Sequence, residues 1–328
     1  MDLAQTLQFL DSAQKSGLRT VLVTVCGVEG SSMRGPGTIM GVAEDGQFAG
    51  SLSGGCIENA VVSEALDVLA KGQARTVRFG AGSPYLDIKL PCGGGLDVSF
   101  HVIEDAGFTG ACLASIVARA PFSIATGIGG AAHVAEWRKA SFDAVSGEAV
   151  FGHYPAPHMQ IIGHGAGVMA LADLASAYGC TLRVLTPDKQ LVEQCAVKRI
   201  TVNRITVNRG AGNKIAVHHL KQTNQTELLQ SDAWTATVFL FHDHDWEIDL
   251  MAAALQMPHF YLGAMGGRRA HEFRCEALLA LGVAQSQLDR IHAPIGLFHS
   301  SRDPQTLALS ALAEVVRTYE ETVWDARV

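Results

Sequence analysis

Two cysteines stand beside glycine runs. Cys56 closes "SLSGGC" and precedes an apolar-periodic stretch, and Cys92 opens "CGGG". A thiol in the first turn of a helix feels the positive end of the helix dipole. That favours the thiolate, the form that ligates a metal or attacks an electrophile. Gly54 and Gly55 let the chain turn tightly and let a ligand approach the backbone. Gly93 and Gly94 leave amides bare, and these could form an anion nest. The competing use of a cysteine is as a small buried apolar residue. It suits Cys26, Cys112 and Cys180, in apolar contexts, better than Cys56 and Cys92, because glycine loops lie at the surface.

Three further stretches could carry chemistry. "GHGAG" (163–167) places Gly163 and Gly165 between an apolar run and a helix-like run, as in the dinucleotide fingerprint G-x-G-x-x-G/A. Val168 takes the third position, and Asp188 is the expected ribose-binding acid. The alternative is a fold of that kind used only as a scaffold. "HDHDWEID" (242–249) offers His244 and Asp245 for a ligand, a proton or a metal at the end of an apolar strand. The alternative is helix capping by Asp245 or a neighbouring carboxylate. "GAMGGRRAHEF" (263–273) puts Arg268 and Arg269 at a helix start, where they oppose the dipole unless an anion offsets them. The alternative is surface charge with Glu272 as partner.

The elements that position these residues follow from periodicity. Residues 1–18 read as an amphipathic helix, and "RTVLVTVCGV" (19–28) as a buried strand. Residues 38–52 read as a hairpin turning near Asp45-Gly46. A helix follows Gly55 and stops at Gly72. "YLDIKL" (85–90) and "LDVSFHV" (96–102) alternate as strands do, and 110–150 continues with a helix and strands. From residue 158 the pattern becomes strand, glycine turn, helix, strand. Further apolar strands are expected at 234–241, 259–266 and 293–298, with helices between them, which predicts a parallel sheet covered on both faces. Asp303 and Pro304 mark the start of the last helix. The tandem "RITVNRITVN" (199–208) is too short in period for a solenoid repeat.

Bulk properties bound the function. A chain of 328 residues favours two domains, and 48% hydrophobic against 17% charged residues is a globular balance. The formal net charge of −7 argues against bulk attraction to nucleic acid or an anionic membrane. No secretory leader or transmembrane run is expected. Seven scattered cysteines without a C-x-x-C pair fit reduced thiols in the cytoplasm.

Together "VEGSSMRGPG", "GSLSGGCIENAV", "PCGGGLDV", "HDWEIDL", "FYLGAMGGRRAH" and "RIHAPIGL" resemble the xanthine dehydrogenase accessory protein family, XdhC/CoxI. The pieces run in that family's order along nearly the whole chain. The resemblance implies an α/β protein. A mixed α+β, cysteine-containing domain (1–150) would be followed by a Rossmann-like parallel-sheet domain (156–328). It implies an accessory factor that binds molybdenum cofactor, supports its sulfuration by a cysteine desulfurase and delivers it to a xanthine dehydrogenase-type apo-enzyme. A homo-oligomer is expected. Cys56 and Cys92 match the family's two cysteine loops and become the candidate ligands of the cofactor's molybdenum. Arg34, Pro36 and Gly37 match its first loop. His244, Asp245 and Asp249, then Gly263, Gly266, Arg268 and Arg269, then His292, Pro294 and Gly296, match its later motifs. Val168, in place of a glycine, and Thr186-Pro187-Asp188 depart from the family's pattern. Both bear on whether the second domain holds a nucleotide. The readings that compete with this one are a nicotinamide-dependent oxidoreductase and a thiol or metal redox sensor.

Overall fold

The computed structural model describes residues 3–83, 90, 93–127, 130–194, 215–298 and 303–324. Cys92, residues 85–89 and the RITVN duplication lie outside the described residues. The chain divides into two compact units, Met1–Pro155 with Val328, and Ala156–Arg327.

In the first unit, α1 (Leu3–Lys15) leads into β1 (Thr20–Glu29), then β2 (Ile39–Ala43), β3 (Phe48–Gly50), α2 (Glu58–Lys71), β4 (Arg75–Gly80), β5 (Gly95–Val102) and α3 (Gly107–Ala118). The strands form an antiparallel sheet in the order β3-β2-β1-β5-β4. Strand periodicity fixes which side each residue faces. Val21, Val23 and Val25 of β1 join Val61, Ala65 and Val68 of α2 in one core. Leu22, between them, joins Leu7 and Leu10 of α1 and Phe108 and Cys112 of α3 in another. β1 is therefore buried on both faces, which is why it reads as a continuous apolar run. The hairpin turns at Gly46 (φ +82°) as expected, and Gly72 ends α2 at φ +67°. A second antiparallel sheet has the order β7-β6-β9-β8, from β6 (Phe122–Gly127), β7 (Gly130–Ala135), β8 (Ser141–Phe142) and β9 (Ala149–His153).

Among the described residues the second unit is built on a six-stranded, all-parallel sheet in the order β12-β11-β10-β13-β14-β15. Its strands are β10 (His158–Gly163), β11 (Thr181–Thr186), β12 (Ile215–His219), β13 (Thr235–Leu240), β14 (Tyr261–Ala264) and β15 (Ile291–His292). The helices are α4 (Ala166–Tyr178), α5 (residues 189–194), α6 (Ile248–Gln256), α7 (Arg268–Ala280), α8 (Gln285–Leu288) and α9 (Pro304–Glu321). Ile162, Leu185, Phe239 and Leu262 pack with Leu250, Met251 and Leu278 of α6 and α7. Their strand neighbours Ile161, Val184 and Val238 are also fully buried, so both faces are covered. The order reverses between β10 and β13, where an open parallel sheet leaves a crevice at its carboxyl edge.

One strand is added and one expectation changes. Residues 75–80 form β4, which pairs with β5, although the alternation there is masked by charge. The run 293–298 is no strand. β15 ends at His292, and a cis Ala293-Pro294 bond and Gly296 at φ +102° turn the chain into a loop.

Gly163 is required by the closeness of β10 and β13: a Cβ there would lie 2.4 Å from the Leu240 carbonyl oxygen, a backbone atom that cannot yield. Gly163→Ala is expected to lose about 2–4 kcal/mol in urea unfolding. Gly167→Ala inside α4 meets nothing closer than Leu307 Cδ2 at 3.6 Å, and is expected to stabilise by about 0.5–1 kcal/mol.

Candidate functional site

The loop before α2 is organised by one carboxylate. Glu58 is 6% exposed, and its Oε1 accepts from the amides of Leu52 and Ser53 (both 3.0 Å) and from the Ser51 hydroxyl (2.8 Å). Oε2 accepts from the Ser53 hydroxyl (2.8 Å) and the Ile57 amide (3.1 Å). Ser53 Oγ also accepts from the Cys56 amide, and Ser51 Oγ from the Gly54 amide (both 3.0 Å). Burial alone would raise the Glu58 pKa. The hydrogen bonds from Ser53, Ser51 and the backbone overcome it and hold the carboxyl at about 2.

This arrangement corrects the expected position of the thiol. α2 begins at Glu58 with Ile57 as its N-cap, so Cys56 precedes the cap instead of occupying the first turn. The amides expected to attract an anion are bonded to the protein's own Glu58 and Ser53. Between Leu52 and Ile57, among the described residues, only the Gly55 amide has no protein acceptor. Cys56 itself is exposed and free. Gly54 (φ +79°) and Gly55 (φ +114°) adopt the left-handed region that glycine tolerates, and a Cβ on Gly55 would meet open space.

Three glycine-bearing segments lie side by side here. A Cβ on Gly54 would sit 3.3 Å from Met33 Sδ. One on Gly30 would sit 3.3 Å from Gly94 Cα, and one on Gly94 2.6 Å from the Glu29 carbonyl oxygen and 2.8 Å from that of Ser31. The loop holding Arg34, the loop holding Cys56 and the residues just after Cys92 are thereby brought together. Gly93 takes φ +70° with open space where a Cβ would be. Arg34 is half-buried, and its amide bonds to Ser32 Oγ at 3.2 Å. Met33 is 79% exposed, so a thioether and a thiol stand at the surface of one loop cluster.

The second unit has a cleft of about 490 Å³ at the carboxyl edge of its sheet, lined by His242, His244, the Gly266-Gly267 turn and an apolar wall that includes Met265, Ile295 and Phe298. A smaller lobe of about 220 Å³ adjoins it through His242, Met265 and Leu307, and includes His164, Gly165 and Asp303. Gly165 caps α4 at φ +81°, where only glycine is at ease, and Val168 is fully buried.

His244 is held from behind. Its Nδ1–H donates to Glu247 Oε1 at 2.7 Å, since a carboxylate can only accept. The same oxygen accepts from Arg274 Nε at 2.9 Å, and Arg274 Nη2 also donates to the Met265 carbonyl at 2.9 Å. Glu247 and Arg274 are both fully buried. Burial pushes the Glu247 carboxyl up, with Arg274 and His244 pulling the other way. Neither Glu247 nor Arg274 stands out in the sequence, beyond the spacing of Glu247 three residues after His244.

Other expected residues are placed differently. The cap of the turn at His244–Trp246 is Asp243, whose Oδ1 accepts from the Asp245 amide at 3.2 Å; Asp245 is exposed. Arg268 and Arg269 are exposed in the first turn of α7, and among the described residues neither has an ion-pair partner, Glu272 included. His292 does not line the cleft. Its ring stacks on Tyr261 at 4.4 Å, and Nδ1 lies 3.4 Å from Glu314 Oε1. Glu314 also accepts from Tyr261 Oη (2.7 Å) and the Gly296 amide (2.6 Å). Against the upward push of burial, these bonds bring its carboxyl down to about 2. Among the described residues no group of three His, Cys, Asp or Glu side chains is spaced to hold a metal.

Comparison with known proteins adds the family context. Residues 159–315 match the XdhC Rossmann domain, and residues 13–80 match the XdhC and CoxI family. The chain is 32% identical over 324 residues to the molybdenum cofactor insertion chaperone PaoD of Escherichia coli K12, covering 96% of this chain and 89% of that one. It is 33% identical over 63 residues to the uncharacterised protein YqeB of the same organism, 19% of this chain and 12% of that one. A crystal structure from Bacillus halodurans, described as a xanthine dehydrogenase, superposes with a TM-score of 0.72 at 17% identity, over 98% of this chain and 99% of that one. It shares the fold.

Glu58 ties the loop to pH. Its folded pKa of about 2 lies below the ordinary 4.5, so its contribution is fully present above about 4.5 and is lost as pH falls toward 2. Urea unfolding followed down this range is expected to show Glu58→Gln about 2–3 kcal/mol less stable than the parent at pH 7, and the two converging near pH 2.

Proposed function

Because the chain belongs to the XdhC and CoxI family, we propose that it is an accessory protein that binds molybdenum cofactor, supports its sulfuration and hands it to a xanthine dehydrogenase-type apo-enzyme. In this reading it works in the cytoplasm as a homo-oligomer, with a cysteine desulfurase as the source of sulfur. The cofactor is cargo, released at the end of each cycle.

The observation that carries the reading is the exposed Cys56 on a loop already fixed by Glu58. The donor set there suits a metal–sulfur centre: a thiol, the Met33 thioether and the uncommitted Gly55 amide. Soft sulfur ligands select such a centre over hard cations. Gly54 and Gly55 remove side chains that would keep a bulky ligand away. Arg34, on the adjoining loop, supplies a cation for an anionic pterin phosphate. Cys92 is assigned to the same site as the second thiol, because it stands two residues before Gly94, which adjoins the Arg34 loop. The similarity to PaoD supports the same assignment of cargo.

The test is titration of the full chain with purified molybdenum cofactor, with molybdenum and pterin followed together in the protein fraction. Cys56→Ser is expected to weaken retention about tenfold or more, ~1.4 kcal/mol, and Cys56→Ser with Cys92→Ser to abolish it. Cofactor held by the double variant at the parental stoichiometry would remove both cysteines from the site.

A further inference from the structure

We propose that the cleft of the second unit binds a single phosphate ester carried on a planar heterocycle. The phosphate is held between His244 and the Gly266-Gly267 turn, and the ring lies on the wall of Met265, Ile295 and Phe298. The site rests on the second unit alone and stands whether or not the cysteine loops hold a cofactor.

The first argument is the preparation of His244. With Nδ1–H committed to Glu247, Nε2 is the remaining hydrogen-bonding atom of a ring that lines the cleft, and it donates to a phosphate oxygen when the ring carries both protons. The carboxylate behind it is balanced by Arg274, the largest fully buried side chain among the described residues. An ion pair taken wholly out of water is weak as a stabilising device, since desolvation offsets its attraction. Arg274 Nη1 and Glu247 Oε2 even remain without a partner. What the pair does achieve is to fix an imidazole in the cleft wall. Gly266, at φ +123°, lies directly over it: a Cβ there would be 3.7 Å from both Arg274 Nη2 and His244 Cε1.

Charge is the second argument. α7 opens at Gly267 with no side-chain cap, and Arg268 and Arg269 add positive charge to the positive end of the helix. No acidic side chain is among the residues lining the larger lobe. Of the nearby acids, Asp243 accepts from the Asp245 amide, Asp245 itself is exposed, and Asp303 accepts from the Thr306 amide at 2.8 Å and borders only the smaller lobe. Histidines, an uncapped helix end and unpaired arginines call for an anion of the phosphate type.

Shape selects the rest of the ligand. About 490 Å³ with one apolar wall admits a mononucleotide-sized molecule. A dinucleotide bound in the usual manner would cross the α4 glycine turn toward the end of β11. That path is disfavoured by charge at one end and by helix capping at the other. Asp303 places a carboxylate in the lobe beside the glycine turn. Asp188 turns its Oδ1 to the Gln190 and Leu191 amides, capping α5. The ligand is thus shifted toward β13 and β14. A free nucleotide and a pterin phosphate share this chemistry.

Calorimetry on the full chain with cytidine and adenosine monophosphates, inorganic phosphate and oxidised nicotinamide dinucleotide tests the proposal, with purified molybdenum cofactor as competitor. One mononucleotide per chain is expected, bound more tightly than phosphate. His244→Gln should weaken it about tenfold or more, Arg269→Ala several-fold, and Cys56→Ser not at all. Displacement by the cofactor identifies a pterin phosphate as the natural source, and no displacement a free nucleotide. Arg269, being exposed, gives a second variant if His244→Gln unfolds. The proposal is overturned if no mononucleotide binds, or if binding is indifferent to both substitutions. It is equally overturned if the dinucleotide binds tenfold more tightly than the mononucleotides and loses that advantage in Asp188→Asn.

Discussion

A carboxylate removed from water calls for donors, and three loops here close on such groups. Among the described residues the buried acids are Glu58, Glu247 and Glu314. Glu58 gathers the amides and hydroxyls of residues 51–57, and Glu247 holds His244 and Arg274. Glu314 gathers Tyr261, His292 and the Gly296 amide. Glu58 draws its donors from the turn it shapes, whereas Glu247 and Glu314 each tie one turn group, His244 and the Gly296 amide, to a helix or strand side chain. The hydrophobic clusters place helices on sheets, but these carboxylates determine the form of the loops between them.

Periodicity carried most of the fold. β1, the β2–β3 hairpin, α2 with its glycine stop and the alternation of strands and helices after residue 158 all follow from spacing. The failures have a common cause in polar chemistry that spacing does not register. Strand β4 was hidden because Arg75 and Arg78 interrupt its apolar pattern; they pair with Glu64 and Asp67, and with Glu29 and Asp97. Residues 293–298 look like a strand, yet the cis bond and Gly296 close them into a loop whose Phe298 amide bonds to Ser310 Oγ.

The candidate sites were half legible. Glycines, cysteines and histidines announced the loops, because their types are unusual for a surface that only needs to be soluble. Their supports did not. Glu58 reads as an ordinary helix-start acid. In α7, Arg274 is fully buried while the adjacent Phe273 is 49% exposed, the reverse of what residue type suggests. Only the third dimension shows that Glu247 lies between that arginine and a histidine on the cleft.

The hydrogen bonds under Cys56 also bear on time. A loop that must be ordered by its ligand charges that ordering against binding, and the bound state then gains a slow exit because the loop must loosen again. The 51–57 loop is already ordered around Glu58, with the thiol standing outside the network instead of inside it. In the proposed reading, cargo can therefore arrive at Cys56 and leave it without remaking the backbone. For the carrier proposed above, which must let go at a second protein, a rigid hand with one exposed sulfur is better suited to turnover than a closing grip.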